Sequence, residues 1–114
     1  MKNIVAVFAS LFFMTTVYQV KSQSVYEVKF QGEADVKVLK VQDSASSDLV
    51  VYLVDSASLA GTNNGVWYLS GFPDGVMKKI FFVENASDAD IKVYYTTNQA
   101  SAGWVNNGKK SLMN

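Results

Sequence analysis

Three aspartates, Asp35, Asp48 and Asp90, each stand immediately before an apolar run, in "ADVKVLK", "SDLVVYL" and "ADIKVYY". Carboxylates recurring at equivalent positions could hydrolyse a glycosidic bond, one acting as acid and its partner as base or nucleophile. They could also give a hard cation such as calcium its oxygen ligands. A simpler use competes with both, because Asp readily bonds neighbouring backbone N–H groups and opens the turn before a strand. The spacing matches no calcium loop, and two further equivalent positions carry Asn64 and Met77. The sequence contains neither His nor Cys, which excludes a Ser–His pair, a thiolate nucleophile and an imidazole zinc site. No catalytic step, metal ion or cofactor is expected.

Binding chemistry has better candidates. Exposed Trp and Tyr offer an apolar face with a polar edge, and Trp67, Tyr68 and Trp104 are the candidate glycan-binding residues. Asn63, Asn64, Asn106 and Asn107 supply amides beside them in the sequence. The competing reading packs Trp67 into the core, since it occupies an inward position, and uses Trp104 to seal the end of a repeat stack. The triplet "DSA" occurs at Ser44 and again at Ser56. It resembles the acceptor used for O-glycosylation of exported proteins in some bacteria, although Ser after Asp is also ordinary turn chemistry. The chain has no Arg, and beyond residue 22 its eight Lys face ten Asp and Glu. That balance argues against nucleic acid as a partner.

The positioning elements begin after residue 22. Lys2 is followed by the apolar run "IVAVFASLFFMTTV" and then by polar residues, the form of a secretory signal peptide over 1–22 with cleavage after Ser22. The run falls short of the ~20 apolar residues that a spanning helix needs. Residues 23–114 then form a single domain, secreted or periplasmic, with no membrane attachment after cleavage. A small exported domain without disulfides needs a regular, well-stacked core.

Counting from the residue before each apolar run gives Asp35, Asp48, Asn64, Met77, Asp90 and Gly103, a thirteen-residue repeat with one step of sixteen at the insertion "LAGTNNG". Position four is Val38, Val51, Trp67, Ile80 and Val93, and position five is Leu39, Tyr52, Tyr68, Phe81 and Tyr94. Alternation of β-branched and aromatic residues between Asp, Ser, Asn and Gly is a strand pattern, with positions two and four toward the core. A period of one strand and not two suggests an all-β, solenoid-like stack of about six units, with position five forming an aromatic ladder. An antiparallel β-meander or small barrel is the alternative.

The layout resembles a family of small secreted bacterial tandem-repeat proteins of unknown function. Their units read Ala-Asp-apolar-Lys-Val-Tyr, and an Ala-Gly-Trp segment closes them. "EADVKV" at 33–38, "DADIKVY" at 88–94 and "SAGWVNNGKKSL" at 101–112 carry the resemblance. It implies export and repetition, and no reaction. The expected object is a monomeric, non-catalytic structural or protein-interaction domain whose partner is an unknown protein. A carbohydrate-binding module for cell-surface polysaccharide is the alternative.

Overall fold

The computed structural model describes residues 23–73 and 77–114. The signal peptide expected over 1–22 lies outside the described residues. The strands are β1 (Ser24–Glu27), β2 (Val36–Lys40), β3 (Leu49–Val54), β4 (Val66–Ser70), β5 (Lys78–Val83), β6 (Ile91–Tyr95) and β7 (Gly103–Trp104). They coincide with the apolar runs of the repeat.

β1 to β6 are parallel to one another and lie side by side in the order β4-β1-β5-β2-β6-β3. β3 also pairs with β4, which closes the sheet into a six-stranded barrel. β7 is antiparallel to the start of β3, with Leu49 opposite Trp104 and Val50 opposite Gly103. The solenoid expectation is corrected here. Its stacked coils would be neighbours in sequence, whereas β1, β2 and β3 are separated from one another by β5 and β6. The closed sheet fits the small-barrel alternative, but with parallel strands where a meander would alternate. The aromatic ladder is absent too, because Tyr68 stands opposite Val54, Phe81 opposite Lys37 and Tyr94 opposite Val50.

The strand order describes two circuits of one ring. β1, β2 and β3 make the first, and β4, β5 and β6 fill the gaps on the second. The sixteen-residue step falls where the circuits change, between β3 and β4, which are adjacent instead of two places apart. All the sheet pairings therefore join a strand of the first circuit to a segment of the second.

Connections such as 41–48 are shorter than the dozen residues usual between parallel strands. They turn back through single 3-10 turns at Gln31–Glu33, Ser44–Ser46, Ala57–Leu59, Ala86–Asp88 and Gln99–Ser101. Three are opened by a short polar side chain accepting a backbone N–H two residues on: Asp43 from Ala45, Ser56 from Ser58 and Asn98 from Ala100.

The residues of position four, Val38, Val51, Trp67, Ile80 and Val93, are all 0% exposed. They fill the barrel together with Val25, Val36, Leu49 and Ile91. Register interlocks them, since Ile80 stands opposite Val36, Val38 opposite Ile91 and Val93 opposite Leu49. Full burial of such a side chain contributes about 1.5–3 kcal/mol. At the end where the strands begin, Met113 from a closing 3-10 helix (Asn107–Met113) joins the core and Trp104 packs against it.

Candidate functional site

The repeated aspartates are structural clamps. Each donates its backbone N–H to a Lys carbonyl on the neighbouring strand, and its carboxylate accepts the N–H of that same Lys. Asp35 holds Lys79 at 2.8 and 2.9 Å, Asp48 holds Lys92 at 2.7 and 2.8 Å, and Asp90 holds Lys37 at 2.7 and 2.8 Å. The turn-opening role expected for them belongs instead to Asp43, Ser56 and Asn98, whereas Asp35, Asp48 and Asp90 stitch one circuit to the other. Asn64 and Met77 form no such clamp among the described residues. Asn64 bonds the N–H of Val66 in its own turn.

Asp48 carries more than its equivalents. Its carboxylate also accepts from the Asn106 amide at 3.3 Å and pairs with the Lys109 ammonium at 3.4 Å. Its carbonyl accepts the N–H groups of Val105 and Asn106. Burial acts to raise its pKa, but the Lys92 N–H, the Asn106 amide and the Lys109 charge together hold it below the ordinary 3.8. This residue fastens the closing segment to β3 and β6.

Trp67 and Trp104 have separated roles. Trp67 is fully enclosed, so it presents no face to a sugar, and its indole N–H has no hydrogen-bond partner in the described structure. The candidate glycan role is therefore corrected for Trp67, which is the largest side chain of the core. Tyr68 is half-buried on β4, on the alternate face from Trp67. Trp104 is half-buried and donates its indole N–H to the carbonyl and the side-chain oxygen of Asn63, both at 3.1 Å. Asn63, itself 9% exposed and in a left-handed conformation at φ 65°, donates its amide to the Lys110 carbonyl and to Asn114. Every polar atom of that buried amide is thus satisfied.

Asn63, Asn64, Gln99, Trp104, Asn107 and Lys110 line one groove of about 280 Å³. The structure brings together Trp104 and three of the four amides singled out in the sequence. Asn106 instead binds Asp48. Gln99 and Lys110 were not legible as site residues, because their place in the groove depends on the closing helix folding back over the insertion. Of the two candidate glycosylation serines, Ser44 is exposed at the start of a 3-10 turn. Ser56 caps the next turn and bonds Ser58 through its hydroxyl at 2.9 Å, so the two "DSA" triplets occupy different places in their turns.

The opposite end of the barrel, where the strands finish, carries a second constellation. One inward side chain per strand lies beyond the core, each directly opposite a core residue. Glu27 faces Ile80, Lys40 faces Val93, Leu53 faces Trp67, Leu69 faces Val25, Phe82 faces Val38 and Tyr95 faces Val51. The Lys40 ammonium lies 4.8 Å from the Phe82 ring centre and 5.9 Å from that of Tyr95, a cation–π arrangement. Burial, followed by the charge of Glu27, pushes the Tyr95 hydroxyl up to about 12. Beside this rim, Tyr52, Leu53, Val54, Asp55, Leu59 and Gln99 line a shallow groove of mixed polarity.

A closed barrel of short parallel units, threaded by two interleaved circuits and stapled by repeated aspartates, defines a tandem-repeat β domain. The model of the 7(1) septoil knot domain family matches residues 14–105, and the chain belongs to that family. No curated protein and no solved structure matches it.

Proposed function

We propose that this is an exported, non-catalytic domain that works by docking a protein partner on a rigid barrel. The carrying observation is the apolar surface at the finishing ends of β3 and β4, where Leu53 is 41%, Leu59 58%, Leu69 36% and Phe72 80% exposed. Apolar side chains concentrated in one region are the usual mark of an interaction surface. The aspartates that the sequence offered for hydrolysis are engaged in backbone clamps, which supports binding over chemistry. The signal-like segment and the family-like repeat units favour a secreted or periplasmic setting.

A photo-crosslinking residue at position 59 or 72, introduced into the chain in its producing cell, tests this reading. A discrete adduct with another protein is expected from both positions, to be lost in Leu53→Lys, with none from the exposed control position Ser46. Equal labelling from position 46, or adducts only between copies of the chain, would exclude the docking surface. Mass spectrometry of the native chain checks export, since cleavage after Ser22 leaves Gln23 first.

A further inference from the structure

We propose that the groove beside Trp104, which meets the Leu53–Leu59 groove at Gln99, binds one sugar unit of a polysaccharide. Its location is the first argument. The insertion "LAGTNNG" breaks the thirteen-residue period, and the unit that opens at Gly103 keeps the period but carries Asn106 and Asn107 at the usually apolar positions four and five; both segments contribute to this groove. Closing the barrel requires Met113 and Trp104 to cover the core. It does not require Asn64, Gln99, Asn107 and Lys110 to surround a concavity.

The chemistry of the lining is the second. Side-chain amides each offer a donor pair and an acceptor, which suits the adjacent hydroxyls of a sugar ring. The side chains of Gln99 and Asn107 make no hydrogen bond recorded among the described residues, and Asn64 uses only its oxygen. Trp104 has its N–H committed to Asn63, so what it brings to the groove is ring surface, suited to the C–H face of a sugar. Lys110 is the one charged residue of the lining among the described residues, and its ammonium would pair with the carboxylate of an acidic sugar. Among the described residues no acidic residue lines the groove, which disfavours a metal ion. A volume of about 280 Å³ lies just below the range for drug-sized ligands, consistent with a single ring.

Rigidity is the third. Asn63 fixes the indole on one side and the closing helix on the other, through bonds at 3.1, 3.0 and 2.8 Å. A groove built before its ligand arrives avoids the ordering cost of binding.

Nuclear magnetic resonance titration of the full isotopically labelled chain tests the proposal without disturbing the core. The probes are an oligomer of a uronic acid and a neutral glucose oligomer. Saturable shifts are expected in the side-chain amides of Asn64 and Asn107 and in the Trp104 indole, with the Trp67 indole unmoved and the uronic acid binding more tightly. Asn107→Ala should weaken binding about tenfold, the effect of one lost hydrogen-bonding group, at an unchanged melting temperature. No saturable shift with either probe, shifts confined to the Leu53–Leu59 surface, or full affinity in Asn107→Ala would overturn the site.

Discussion

Tyr95 occupies a rim where its phenol is partly buried, while Glu27 lies close enough to oppose its ionisation. A neutral phenol is therefore favoured by folding. Because the folded pKa, about 12, exceeds the ordinary 10.0, its contribution to stability is complete below pH 10 and declines as pH rises toward 12. Ultraviolet titration should show one tyrosine ionising near 12, and Glu27→Gln should lower that value while leaving it above 10, since burial is the larger cause. Asp90 makes a different prediction. Its carboxylate accepts the Lys37 N–H in a partly buried setting, and Asp90→Ala leaves that N–H without its charged partner. The expected loss is about 1.5–3 kcal/mol, read as a shift of denaturant midpoint at constant slope. Asp35→Ala, at the exposed equivalent, should cost less.

At the scale of the element, what could be read from the sequence depended on how local each signal was. Inward alternation is set within one strand, so the buried residues of position four follow from the pattern alone. The turns were legible as breaks, but three residues are too few to display a helical period, and their 3-10 form was missed. Ring order was illegible, because a constant period fits stacked neighbours and strands placed two apart equally well. The single sixteen-residue step was the one clue, since it falls where the chain begins its second circuit. The aspartates showed the same limit: their equivalence lies in the repeat, whereas their Lys partners lie 44 or 53 residues away. For the site, Trp104 and its amides could be named and the inward position of Trp67 was legible, but the half-exposure of Trp104 over the end of the core follows only from the closed ring. The circuit change also has its own critical residue. Gly65 has φ 89°, and a Cβ there would run into the Val50 carbonyl and come within 2.7 Å of the Gly103 nitrogen. Gly65→Ala combines left-handed strain with a backbone collision, so thermal denaturation should show a loss of at least about 1–3 kcal/mol. Gly32→Ala, with open space around it, should be near neutral.

For the whole molecule, the interleaving makes each half dependent on the other. β1, β2 and β3 have no hydrogen-bonded ladder among themselves, and neither do β4, β5 and β6. Fragments divided near residue 60 are expected to lack strand signal in circular dichroism when separate. An ordinary solenoid cut at the same place would retain paired strands in both pieces. The intact chain must bring distant segments together before any ladder rewards the loss of chain entropy, which slows folding. A second circuit laid between the strands of the first adds a geometric demand, because one end has to pass coils already in place. Refolding from denaturant should therefore be slow, and a stable globular domain fused after Asn114 should slow it further while leaving the unfolding rate and midpoint nearly unchanged. The fusion burdens only the passage of the chain end, not the native contacts. An unaltered refolding rate would mean that the circuits interleave by wrapping the middle of the chain, with the closing helix already free to dock.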